Sequence, residues 1–216
     1  MTGTITGDAP PLVLIVDDDE EVRTAIEELM LSVGMEARGF GSTRDLIESP
    51  LLDRAACLVL DVRMPGSSGL DLQQRLAAAG ISRPIVFLTG HGDIPMSVQA
   101  MKAGAIDFLT KPVRDQTLID AIVAGVERDA EQRAAARVVQ QQVDRFATLT
   151  PREGQVMREV ARGRLNKQIA FDLGITEITV KLHRSNVMKK MQASSVGELI
   201  RAWEILPADL RQSPAA

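Results

Sequence analysis

The chain has 216 residues, 45% hydrophobic and 25% charged, with five Phe, one Trp and no Tyr, which suits one large domain or two small ones. No apolar run approaches the roughly 20 residues of a membrane helix, and the opening MTGTITGDAP lacks the basic-then-apolar pattern of a secretory signal. A single Cys57 excludes an internal disulfide, so a cytoplasmic protein with no membrane partner is expected.

Charge is uneven along the chain. Residues 1–145 hold 14 Lys and Arg against 22 Asp and Glu, whereas residues 146–216 hold 11 against 7. An acidic part thus precedes a basic part suited to a polyanion. Within the acidic part, Leu12–Val16, Cys57–Leu60 and Ile85–Leu88 are continuous apolar runs, and Glu36–Phe40 and Ile106–Leu109 are shorter candidates. Continuous apolar runs bounded by turn residues fit strands covered on both faces, with Cys57 as a small buried strand residue. Between them lie helical stripes such as Val22, Ile26, Leu29 and Val33, or Leu72, Leu76 and Ala79. This alternation predicts an α/β doubly wound sheet of five parallel strands.

From Val126 to Thr150 there is no Gly or Pro, so the last helix is expected to continue through a linker over 126–146. The linker is either a stiff transmitter or a plain solvated helix. Thr150, Pro151 and Glu153 then form a strong helix start, as N-cap, first position and third position. A second helix over Asn166–Asp172 stops at Gly174, a third starts at Thr176, and Val196–Ile205 makes a fourth. Two short helices joined through Leu173-Gly174-Ile175 fit a helix-turn-helix within a small all-α domain over 147–207, with a frayed tail over 208–216. Ile178, Leu182, Val187 and Met191 are the apolar positions of the third helix, and they cannot all be exposed.

Three carboxylates stand out by position. Asp17 and Asp18 follow the first strand and Asp61 follows the third. In a doubly wound sheet these points lie at the carboxyl ends of neighbouring strands, where ligands bind. Crowded carboxylates repel, so they point to a hard cation, Mg²⁺ first and Mn²⁺ as an alternative. Thr89 and Lys111 end the fourth and fifth strands. A hydroxyl and an ammonium beside metal-bound carboxylates are what a transferring phosphoryl group needs. Asp19, by contrast, is open to reading as a helix cap.

The motifs VDDDEEVR, LVLDVRMPGSSG, FLTGHGD and DFLTKP, in this order at the ends of successive strands, resemble the receiver domain of two-component response regulators over about residues 10–128, a flavodoxin-like fold. The resemblance implies that Asp61 takes phosphate from the phosphohistidine of a sensor histidine kinase. Asp18, Asp61 and the main-chain carbonyl of Arg63 would hold Mg²⁺, with Asp17 acting indirectly. Thr89 and Phe108 would be a switch pair, although Phe108 stands where the family often has Tyr and also reads as core. Lys111 would bind the phosphoryl group, placed by a cis bond to Pro112. His91 is expected at the rim. Pro95–Lys102 resembles the FixJ-type subgroup, in which that helix is a usual dimerisation or domain-contact surface.

LTPREGQVMREVARG and NKQIAFDLGITEITVKLHRSNVMKKM resemble the four-helix output domain shared by FixJ-, NarL- and LuxR-type regulators. On the third helix Lys181, Arg184, Ser185 and Lys189 share a polar side at helical spacing, suited to a major groove. The resemblance sets Lys181, Leu182 and Ser185 nearest the bases. It sets Asn166, Lys167, Thr179, His183 and Lys190 nearer phosphates, with His183 open to a packing role and Lys189 and Lys190 open to being a solvated face. The expected protein is a transcription factor that dimerises and binds double-stranded promoter DNA when phosphorylated, with RNA polymerase as a further partner. An enzyme of the aspartyl-phosphate phosphatase type would carry a general acid two residues after the nucleophile; that position is Arg63, so no turnover is expected.

Overall fold

The computed structural model describes residues 9–66, 68–90 and 93–212. His91 and the tail residues 213–216 lie outside the described residues. The chain divides into two compact units, Met1–Gln132 and Arg133–Ala216.

The first unit is built on five strands: β1 (Leu12–Val16), β2 (Glu36–Phe40), β3 (Cys57–Leu60), β4 (Ile85–Thr89) and β5 (Asp107–Thr110). All pair in parallel in the order β2-β1-β3-β4-β5. Side chains alternate between two cores. Leu12, Leu14, Leu58, Leu60 and Phe87 enter one, with Leu72 and Leu76 of α3 (Gly69–Ala78) and Ala100 of α4 (Ile94–Lys102). Val13, Ile15, Val59, Val86 and Leu88 enter the other, with Ile26 and Met30 of α1 (Glu20–Ser32) and Leu118 and Ile122 of α5 (Asp115–Ala147). Two covered faces explain why β1, β3 and β4 read as unbroken apolar runs. The edge strand β2 is only half-covered, which is why it reads more weakly. A short α2 (Thr43–Glu48) and a 3₁₀ turn (Pro50–Asp53) link β2 to β3.

β5 starts and ends one residue later than its apolar run, and β4 extends to Thr89. The register explains both differences, because Thr89 pairs with Thr110. Cys57 is fully buried, packed so closely under α5 that a Cβ on Gly125 would lie 2.7 Å from its sulfur.

In the second unit α6 (Pro151–Ala161), α7 (Asn166–Leu173), α8 (Glu177–Lys190) and α9 (Val196–Ile205) enclose a core of Val156, Met157, Ile169, Val180, Val187, Met191 and Leu199. Thr150 caps α6 and forms the reciprocal capping box with Glu153. Val143 and Phe146 of α5 join this core, with Phe146 edge-on to Trp203 at 6.0 Å. Gly174, with φ +63°, closes α7 in the left-handed region, and Thr176 caps α8 immediately after it. Ala208–Gln212, expected to fray, forms a short helix α10.

Candidate functional site

The strand order reverses direction beside β1 and β3, the crevice where ligands bind in open α/β sheets. The backbone N–H of Asp61 donates to the Val16 carbonyl at 2.8 Å, which ties the residue after β3 to the end of β1. The N–H of Lys111 donates to the Thr89 carbonyl at 2.8 Å, so the residue after β5 lies beside the end of β4. Lys111 precedes a cis bond to Pro112. Four strand ends thus deliver Asp17, Asp18, Asp61, Thr89 and Lys111 to one edge of the sheet.

The carboxylates of Asp17, Asp18 and Asp61 each bring an oxygen to within 4.8 Å of the others. Asp17 and Asp61 are buried, while Asp18 is exposed. The Lys111 ammonium donates to Asp17 at 2.5 Å and to Asp61 at 3.1 Å. Asp17 also accepts from the Asp19 N–H at 3.0 Å, and Asp61 accepts from the Arg63 N–H at 3.0 Å. Burial raises the Asp17 carboxyl above its usual range, against the pull of Lys111 and the Asp19 amide. Burial would lower Lys111, but its bonds to Asp17 and Asp61 outweigh this and hold the ammonium above its usual range. One ammonium bridging two of three clustered carboxylates leaves an excess of negative charge, an acidic cradle that fits a small divalent cation.

Around this cradle, Thr89 is buried and Phe108 half-buried, with the Phe108 ring 5.9 Å from Phe87. Asp19 is the N-cap of α1, accepting from Glu21 and Val22. Sequence reasoning missed Gly69. A Cβ there would fall well inside contact distance of the Asp61 carbonyl oxygen, so α3 can start this close to Asp61 only without a side chain. The motif MPGSSG contains that glycine, but the contact is visible only in three dimensions.

In the second unit the buried positions of α8 are Val180 and Val187, with Met191 following. The opposite side exposes Ile178, Lys181, Leu182, Ser185 and Lys189. Lys167 is also exposed, and Arg184 donates a 2.8 Å hydrogen bond to the Asn166 side chain, which links the middle of α8 to the start of α7. Thr179 is half-buried, its hydroxyl 2.9 Å from that of Thr176. His183 is half-buried as well, and its Nδ1 has no hydrogen-bond partner among the described residues. Lys190 is turned inward. Its ammonium donates to Glu153 at 2.6 Å and to the Thr148 carbonyl at 3.0 Å, away from the exposed face of α8.

An acidic, ammonium-bridged site on a doubly wound sheet, joined in one chain to a basic helix-turn-helix, defines a receiver coupled to a DNA-binding module. Residues 13–123 match the response regulator receiver domain, and residues 147–203 match the bacterial regulatory proteins of the luxR family. The chain is 54% identical over 195 residues to nodulation protein W of Bradyrhizobium diazoefficiens, covering 90% of this chain and 86% of that one. It is 43% identical over 188 residues to the transcriptional regulatory protein FixJ of Azorhizobium caulinodans, covering 87% and 89%. Among solved structures, that of the response regulator StyR superposes with a TM-score of 0.81 at 47% identity, covering 91% of this chain and 99% of that one. The chain therefore belongs to the two-component response regulators of FixJ type, with a receiver domain and a LuxR-type DNA-binding domain. Among the described residues no helix is long and apolar enough to cross a membrane.

Proposed function

We propose that Asp61 is the phosphoacceptor, that it takes a phosphoryl group from a sensor histidine kinase, and that this event promotes dimerisation and promoter binding. The observation that carries the reading is the setting of Asp61, at the carboxyl end of β3, bonded to the Lys111 ammonium and clustered with the carboxylates of Asp17 and Asp18. Asp18, Asp61 and the main-chain carbonyl of Arg63 would hold Mg²⁺, or Mn²⁺ in its place, with Asp17 supporting them. The ion would neutralise charge on the incoming phosphoryl oxygens. The Asp61 carboxylate oxygen attacks phosphorus as the P–N bond to the kinase's phosphohistidine breaks and the imidazole leaves, and Lys111 shifts its donated hydrogen bond toward the phosphoryl group. Thr89 supplies a hydroxyl to one of that group's oxygens, and Phe108 turns inward into the space the hydroxyl leaves.

In the second unit the proposed base contacts are Lys181, Leu182 and Ser185. Asn166, Lys167, Thr179, His183, Arg184 and Lys189 lie toward phosphates. Lys190 stays in the reading only as a residue that would have to leave Glu153 to reach DNA. A second copy of this chain is the proposed partner for α4, where Ile94, Val98 and Met101 are exposed at i, i+4 and i+7. RNA polymerase is the proposed further partner, and the cytoplasm the proposed location.

Incubation with acetyl phosphate and Mg²⁺ tests the acceptor. One acid-stable, base-labile phosphoryl group per chain is expected, and none in Asp61→Asn. Labelling that persists in the variant would move the acceptor elsewhere. Rapid release of many phosphates per chain would favour a phosphatase.

A further inference from the structure

The exposed face of α8 carries two large apolar side chains that pack nothing. Ile178 is 80% exposed and Leu182 is 60% exposed, and neither belongs to the core of the second unit or to its half-buried margin. They stand four residues apart on one side of the helix, about 6 Å along its axis. Cations flank them, with Lys181 and Lys189 exposed on the same face and Lys167 exposed on α7. A protein-binding patch of this size would be small and ringed by like charge. A major groove instead offers phosphates to the lysines and, on each thymine, a methyl group to an apolar side chain.

We infer that Ile178 and Leu182 are specificity-determining residues that read thymine 5-methyl groups in the target site. The inference rests on the DNA-binding reading above. It adds Ile178, an apolar position of α8 that the family resemblance does not set near DNA, and it names the chemical feature recognised. Four residues of helix rise cover less than two base steps of 3.4 Å each, so the two side chains address thymines on the same or neighbouring steps of a half-site. An isoleucine and a leucine accept and donate no hydrogen bond, so they distinguish thymine from cytosine through the methyl alone.

The test uses the full chain with Mg²⁺ and beryllofluoride, at one fixed salt concentration. Duplexes are first selected from a random library by the wild-type chain. Each thymine of the selected site is then replaced singly by deoxyuridine, which removes the methyl and leaves every hydrogen-bonding group in place. One or two positions per half-site are expected to lose about fourfold in affinity, the worth of one buried methyl. Ile178→Ser and Leu182→Ala are each expected to bind more weakly and to become indifferent to deoxyuridine at one of those positions. The inference is overturned if the wild-type chain binds every deoxyuridine duplex as it binds thymine, or if both variants keep the full sensitivity. Failure to enrich any sequence over random DNA would instead remove the DNA-binding reading on which the inference stands.

Discussion

Asp61 can act as proposed only while its backbone stays where β3 delivers it, and Gly69 is the residue that lets α3 begin against its carbonyl. Gly69→Ala forces α3 or the Asp61 backbone to shift. It is expected to cost about 1–3 kcal/mol of stability and to slow phosphoryl uptake about tenfold or more, since small displacements of a reacting group are expensive. An unchanged labelling rate with acetyl phosphate would sever that link. Cys57 makes a contrasting prediction. Burial first, and then the charge of Asp129, push its thiol up to about 12. The folded state thus holds the proton more tightly, so ionisation favours the unfolded chain as pH climbs above the free-thiol value of 9.0. At neutral pH the native chain is expected to react with maleimide no faster than it opens, and prompt stoichiometric labelling would contradict the burial. At this scale Asp17, Asp18, Asp61, Thr89 and Lys111 were legible because each directly follows or closes an apolar strand. Gly69 was not, because its reason is a contact with a residue eight positions away that no local spacing encodes.

Elements explain where a residue type is used for structure and where it is left for a ligand. Asp19 sits beside the acidic site yet caps α1. Asp19→Ala is expected to cost about 1 kcal/mol while leaving Mg²⁺ affinity unchanged, as followed by quenching or calorimetry; a large loss of Mg²⁺ affinity would make Asp19 a ligand. In α6, Glu153 is buried, which would raise its carboxyl, but Lys190 and the Thr150 cap outweigh this and hold it below its usual range. Its contribution to stability is therefore present above the unfolded value of 4.5 and is lost as pH falls through the lower folded value. Glu153→Gln should flatten that acid limb, and Lys190→Met should cost about 1–3 kcal/mol by leaving a buried carboxylate unpaired. Trp203, the sole tryptophan and packed on Phe146, gives the fluorescence signal that follows both. An acid limb identical in Glu153→Gln and wild type would refute the pairing.

In α8 the apolar spacing left open which residues face inward. Ile178, Leu182 and Val187 read as apolar positions that cannot all be exposed, and of the three only Val187 is buried. Val180 and Val187, seven positions apart, define the buried side, which turns Ile178 and Leu182 outward, each two residues from Val180 and so on the opposite side. Ranking Val180 ahead of Ile178 as the inward residue would have exposed the face. Lys190 was equally unreadable, because its partner Glu153 lies 37 positions earlier on another helix.

For the whole molecule, the architecture followed from alternation: apolar runs covered on two faces, helices between them, and a change from acidic to basic composition near residue 146. Strand ends shifted by a residue because register, a property of neighbouring strands, decides them. The central claim is that a phosphoryl group on Asp61 controls DNA binding in the other unit. It is tested most directly by titrating wild type and Asp61→Asn against a selected duplex, with and without beryllofluoride and Mg²⁺, at one salt concentration. The wild-type chain is expected to gain about tenfold or more in affinity, within the usual span of coupling between two sites, and to self-associate, while Asp61→Asn gains neither. Equal affinities for wild type with and without the phosphate mimic, or the same gain in Asp61→Asn, would contradict it.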